Sequence, residues 1–447
     1  ARPLGEDPAE AAAVAARRRW ERRAIGTVEA FVHAPHATKE LSSFVDRILP
    51  GAAPAGAQTS RYRQSSLDSR TSLMEYQEGG EACRQLLLKA VASMLRVNKT
   101  LRKICIGTSE SSDAFMKILC SGLRENVGLT VVDVTNRKLT PESAKVLGKV
   151  FVENKASTLE ELLLSRNEFG ARGVEILFRI LVDSSAPSKL STLDLSSNHI
   201  DDKTLRCGIE LGRYLASTSC ILKSLILSHN PFVSTSFCSK GLDMNRSLCV
   251  LEMKACGVRD EDLLTLFHAL SDQNTLIELD LSDNRITSSG TDKLAHYLRA
   301  ESEKKRVMCR KLKSLCLSGN SIVDATSLAG SLGMLPCLQE LDMSRCGISL
   351  KSVTPLLNVS NLVDLNLSQN EFGNPVCAVV LQWFSSEEKE SSSLRRLHLC
   401  NNRMSADGVI PLLEVVRNSD NILKMLAVGG NRLGTKGREA VRAAVSE

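Results

Sequence analysis

The chain has 447 residues, 43% of them apolar, and carries 57 Lys and Arg against 51 Asp and Glu, a formal excess of six positive charges. That excess is too mild to mark a nucleic-acid binder, and no run of 18 or more apolar residues offers a membrane span. Fourteen Cys are scattered without CxxC pairs or His clusters, a usage that points to reduced thiols in an intracellular protein and away from a disulfide framework.

In chain order, residues 1–50 read as a helical arm. Asp7, Pro8 and Glu10 supply a cap, a proline at the first helical position and an acidic third position, and the helix is expected to run through Arg17, Arg18, Arg19, Trp20, Arg22 and Arg23 towards Pro35. A second short helix, with Leu41, Phe44, Val45, Ile48 and Leu49 on one face, stops at Pro50. Residues 51–80 are rich in Ala, Gly, Ser, Gln and Arg and read as a flexible linker. An Arg- and Ala-rich start has something of a mitochondrial targeting segment, but Glu6, Asp7, Glu10 and Glu21 are out of place in one. A helix with so little apolar surface is marginal alone. The Arg cluster with Trp20 is therefore expected to dock on another chain, and nucleic acid could be reached only through it; the plainer alternative is a solvated helix face.

From residue 81 the pattern changes. An amphipathic helix, EACRQLLLKAVASMLRVN, is expected to cap a domain that spans residues 81–447. Ten copies of LxxLxLxxNxL or a close variant begin at Leu159, Leu190, Leu222, Leu248, Leu276, Leu312, Leu338, Leu362, Leu394 and Leu423, with two weaker copies at Leu101 and Leu129. The Asn position is filled by Asn167, Asn198, Asn230, Cys256, Asn284, Asn320, Cys346, Asn370, Asn402 and Asn431, at spacings of 31, 32, 26, 28, 36, 26, 24, 32 and 29. Helical periodicity succeeds each copy, as in DEDLLTLFHALSDQ after Val258, so each unit is expected to be a strand and then a helix. The first, fourth and sixth leucines point inward, and the Asn amide satisfies turn backbone groups that no strand ladder reaches. Cys256 and Cys346 can take its place because a thiol is small and tolerates burial.

These repeats resemble the ribonuclease-inhibitor-like subfamily of leucine-rich repeats over roughly residues 80–447. The resemblance implies an α/β solenoid of about twelve units: a curved horseshoe with parallel strands on the concave side, helices on the convex side, and a concave surface that usually binds another macromolecule. The final helix, TKGREAVRAAVSE, is polar enough to close the far end.

In a strand, the residues between the buried leucines face the other way, so the third, fifth and seventh positions should line the concave face. They supply Glu161, Asp194, Glu252, Glu278, Asp280, Glu340, Asp342 and Asp364, with Asp283 close by, against few cations: Lys254, Arg166, Arg345 and Arg396. An acidic inner wall in a net-positive chain favours a basic protein partner; Asp at the fifth position and Ser at the seventh are also common filler in such repeats. A glycan at Asn366, in the sequon NLS, would obstruct that wall, which again argues against secretion. Two long units carry charged insertions, AESEKKRVMCRK before Leu312 and EEKESSS after Trp383 and Phe384, read as rim loops that are more often solvated than in contact.

Catalytic and metal motifs are not found. GGNRLGTKG lacks the GKS or GKT ending of a phosphate loop, the seven His show no ligand spacing, and no Ser, His and Asp set accompanies a nucleophile elbow. No cofactor is expected. The expectation is a non-enzymatic interaction scaffold, a structural or adaptor subunit of an intracellular assembly of cytoskeletal, ciliary or organellar kind. The alternative is a regulator of a basic partner, inhibiting it as ribonuclease inhibitor does or acting like the GTPase-activating protein of the nuclear transport GTPase Ran. That last family's usual acidic tail has no counterpart in VRAAVSE, and no catalytic Arg is assigned by motif.

Overall fold

The recurring leucines stack. In a computed structural model, twelve three-residue strands lie side by side in sequence order, all parallel: β1 (Lys103–Cys105), β2 (Val131–Asp133), β3 (Glu161–Leu163), β4 (Thr192–Asp194), β5 (Ser224–Ile226), β6 (Val250–Glu252), β7 (Glu278–Asp280), β8 (Ser314–Cys316), β9 (Glu340–Asp342), β10 (Asp364–Asn366), β11 (Arg396–His398) and β12 (Met425–Ala427). Each begins two residues after one of the twelve repeat leucines. The structure describes Lys89 and residues 91–445, apart from 106–112, 184–188, 202–204, 231–234, 272–274, 306–307, 388–391 and 419–422. The arm and linker expected over 1–80, with the Arg17 to Arg23 cluster, lie outside the described residues, and of the expected capping helix the part at 91–97 is helical.

Register is uniform. The fourth-position residue of each unit pairs across the sheet with its counterpart, Ile104 with Val132, Val132 with Leu162, Leu162 with Leu193 and so on, leucine to leucine, to Leu397 with Leu426. Because these side chains and the sixth-position leucines point to the same side, they form one continuous interior row, nearly all inaccessible to solvent. A single unit could not bury that face alone, so stability comes from stacking.

The convex side is built from helices, the longest in the longest spacing and the shortest in the shortest. The long units carry α1 (Asp113–Leu123), α2 (Pro141–Glu153), α3 (Gly170–Asp183), α4 (Arg206–Ala216), α5 (Asp260–Leu270), α6 (Ser288–Glu303), α9 (Pro375–Ser385), α10 (Ala406–Asn418) and α11 (Gly434–Val445). The 36-residue spacing between Asn284 and Asn320 contains the 16-residue α6. The shortest spacings lack room for a full helix and correct the expectation of one in every unit. Between Asn230 and Cys256 the chain makes a 3-10 turn and a π turn (Thr235–Phe237 and Cys238–Leu242), between Asn320 and Cys346 only the seven-residue α7 (Thr326–Leu332), and between Cys346 and Asn370 a 3-10 turn and the five-residue α8 (Val353–Leu357). A close approach of two glycines lets the π turn pack on α4: a Cβ on Gly241 would stand 2.5 Å from Gly212 Cα.

The expected rim loop before Leu312 keeps Lys304, Lys305, Arg310 and Lys311 in exposed turns but is shorter than the insertion. Its first residues extend α6 to Glu303, and Met308 and Cys309 fold back into the core, since both are apolar enough to fill space between long helices. No helix among the described residues is long and apolar enough to cross a membrane.

Asparagine holds the turns. Asn230 donates through Nδ2 to the carbonyls of Leu227 (2.6 Å) and Leu195 (3.1 Å) and accepts at Oδ1 from the amides of Asn198 (2.9 Å) and Ile200 (3.1 Å). One amide thus satisfies four backbone groups in two adjacent units, buried where water cannot reach. Cys256 and Cys346 occupy the same position, and their thiols donate to Leu227 and Leu317 of the preceding units at 3.2 Å. Burial pushes both thiols up to about 12.

Candidate functional site

The third and fifth residues of each strand point away from the leucine row, as period-two geometry requires, and in most strands they are half-exposed around a buried centre. Along β6 to β11 they converge on one hollow of about 290 Å³. Its lining includes six carboxylates, Glu252, Glu278, Asp280, Glu340, Asp342 and Asp364, with Ser314, Cys316, Asn366 and His398 between them, over strand backbone whose Leu251, Leu279 and Leu341 side chains are buried in the interior row.

The structure separates the expected wall residues into groups. Glu252, Glu278, Asp280, Glu340, Asp342 and Asp364 come together in the hollow. Asp194 has the same register but is buried, with its Oδ1 accepting from the Ser196 amide and hydroxyl, so its carboxylate is closed off from solvent. Glu161, on β3, lies three strands from β6 and outside the hollow. Asp283 sits one residue before Asn284 with φ 55°, clamped between Lys254 Nζ (3.1 Å) and Arg345 Nη2 (2.8 Å). Arg396 belongs to the hollow's far edge, as a partner of its acids.

The fifth-position aspartates also have a local duty, which gives the filler reading its physical basis. Asp280 and Asp342 each use Oδ1 to accept the amide two residues on, from Ser282 and Ser344, both at 2.8 Å. This turn bends the chain out of the strand. Their other oxygen remains for the hollow; Asp342 Oδ2 accepts from Asn366 Nδ2 at 3.0 Å.

At β10 and β11 the charge is balanced within the fold. Asp364 receives Arg396 Nε at 2.7 Å and His398 Nε2 at 3.0 Å, and Arg396 Nη2 reaches Glu340 at 3.7 Å. Burial would raise the Asp364 carboxyl, but the hydrogen bonds from His398 and Arg396 outweigh it and hold the group below the usual aspartate range. The hollow is therefore graded, acidic over β6 to β9 and more neutral at its far end. Sequence reading passed over His398, although it occupies the fifth position of its unit and the same rule would have placed it here. An aspartate-oriented imidazole is half of a hydrolytic site, yet among the described residues no hydroxyl or thiol hydrogen-bonds to it, and no group of three or more His, Cys, Asp or Glu could hold a metal.

Twelve in-register strands, an interior leucine row and an Asn ladder define the class: the chain is a leucine-rich-repeat solenoid. A family model described as Leucine Rich repeat matches residues 186–206, 272–295 and 335–357. Ribonuclease inhibitor of Mus musculus is 30% identical over 57% of this chain and 58% of its own length, and ribonuclease inhibitor of Sus scrofa 26% identical over 78% of this chain and 81% of its own. The chain is likewise similar to NACHT, LRR and PYD domains-containing protein 5 of Mus musculus, 26% identical over 81% of this chain but only 31% of that protein. It is a leucine-rich-repeat protein of the ribonuclease-inhibitor-like kind.

Proposed function

We propose that the chain is a non-enzymatic protein-binding scaffold whose concave hollow over β6 to β11 receives a basic segment of its partner. The observation that carries this reading is the convergence of six carboxylates on one hollow. Such a surface attracts cationic side chains at long range. An intracellular setting, as a structural or adaptor subunit of a cytoskeletal, ciliary or organellar assembly, is supported by the thirteen described cysteines, none of them in a disulfide.

The test is charge reversal. Partners captured by the full chain and identified by mass spectrometry should be basic, should weaken on raising salt, and should lose at least tenfold in affinity in the Glu252→Lys, Glu278→Lys double variant. Partners whose affinity ignored both salt and reversal would overturn the reading. A second reading, direct inhibition of a basic enzyme, is favoured by the two ribonuclease inhibitors among the relatives; loss of pancreatic ribonuclease activity on titration with the chain would support it, and unchanged activity would remove it.

A further inference from the structure

We infer that the outer edge of β12, a surface separate from the hollow, docks an extended peptide of a partner protein, of the pattern apolar-x-apolar-x-x-Asn with acidic residues around it, as one more parallel strand. The bonds that join neighbouring units define what such an edge accepts. Between β11 and β12, the amides of Leu399 and Asn401 donate to the carbonyls of Ala427 and Gly429, and the amides of Lys424 and Met425 donate to the carbonyl of Arg395. Asn431 completes the joint: its Oδ1 accepts from the amides of Asn402 (2.8 Å) and Met404 (3.1 Å), and its Nδ2 donates to the Leu399 carbonyl (2.9 Å). One unit further along, the equivalent donors are the amides of Val428, Gly430, Asn431 and Leu433, and the equivalent acceptor is the Lys424 carbonyl. None of these has a partner among the described residues. A row of open amides and carbonyls on an uncovered strand is a template for strand addition.

The side chains beside this edge agree. Leu426 is half-buried where its counterpart Leu397 is inaccessible, and Met425 is 43% exposed. Between the edge and α11 lies a cleft of about 540 Å³, whose lining includes the half-buried Val441 and the exposed Arg432 and Arg438. Apolar residues of an occupant therefore lie beside Leu426, and its acidic groups meet the two guanidiniums. The chain contains a segment that makes the same joint within the fold: in LIELDLSDNRI (276–286), Asn284 accepts from the amides of Cys256 and Val258 at 2.9 and 3.0 Å and donates to the Met253 carbonyl at 2.8 Å. A second copy fits less well. Two-fold pairing of β12 with itself would set Arg432 and Arg438 against their own counterparts, and β1, at the other edge of the sheet, belongs to a unit with Ser109 where the ladder Asn stands.

The experiment titrates the full chain into fluorescein-labelled LIELDLSDNRI peptide, read by anisotropy. Three acids against one Arg in that peptide keep it out of the acidic hollow. The peptide should bind. Replacing its Asn with Ala, or N-methylating its second and third residues, whose amides are placed to donate to the Lys424 carbonyl, should each weaken binding about tenfold. On the protein, Arg432→Glu together with Arg438→Glu should weaken it about fivefold. No binding of the parent peptide, or equal affinity for the Asn and Ala peptides, would overturn the proposal. A chain that forms dimers in analytical ultracentrifugation and binds no peptide would assign the edge to a second copy instead. The modified peptides decide the matter without altering the protein, so a variant that failed to fold would not protect the proposal.

Discussion

A single ladder amide carries more weight than its size suggests. Replacing Asn230 with Ala would strand the amides of Asn198 and Ile200 and the carbonyls of Leu195 and Leu227, at a cost of about 3 kcal/mol, measured as a lowered urea midpoint. Asp364 gives a pH signature. Its carboxyl lies below its ordinary value of 3.8 despite burial, through His398 and Arg396. A depressed acid contributes stability that is complete above the unfolded-state value and lost as pH falls through the lower native value. Asp364→Asn should therefore cost about 1 kcal/mol above pH 5, a cost that shrinks as pH falls below the ordinary aspartate value, read from thermal melts across that range. The thiols offer a third check. Burial pushes Cys120, Cys256, Cys309 and Cys346 up to about 12, so at pH 8 they should resist a disulfide reagent in the native protein and react only after denaturant, with Cys105, the exposed one among the described thiols, modified before them.

At the scale of elements, the packing of the π turn on α4 leaves no tolerance. Gly241→Ala would drive a methyl into Gly212 backbone, with its carbonyl oxygen at 2.9 Å, and backbone cannot step aside as a side chain does; a loss of about 3 kcal/mol is expected, measured by denaturant unfolding. Strands were legible in the sequence because period-two burial and the fixed leucine frame leave one register open, and all twelve begin where the frame places them. The connectors were less so. Helical periodicity over Asp260–Leu270 was plain, whereas residues 235–242 are poorer in apolar positions, and the 26-residue spacing signals only that the connector is short. At the wall, the frame identified which residues face outward from the leucines but not how deeply each is covered, so Asp194 was grouped with exposed acids that it joins in register only. His398 was legible by the same frame and lacked only the attention given to acids.

For the whole molecule, twelve units in one sheet make stability a sum of unit and neighbour terms, with no single core to fail at once. The neighbour terms are not equal. Where Asn stands, one donated bond and one twice-used acceptor tie each unit to the one before; at Cys256 and Cys346 a thiol, a weak donor and weaker acceptor, replaces them. Those two joints divide the Asn-tied array into blocks spanning β2 to β5, β6 to β8 and β9 to β12. Native-state hydrogen exchange should resolve three cooperative groups of amides with boundaries at these seams, and a single uniform opening would contradict that division. The middle block holds much of the acidic hollow between two soft hinges, so the curvature of the wall can adjust to what it grips without unfolding the flanks: a built-in compliance located by two sulfur atoms.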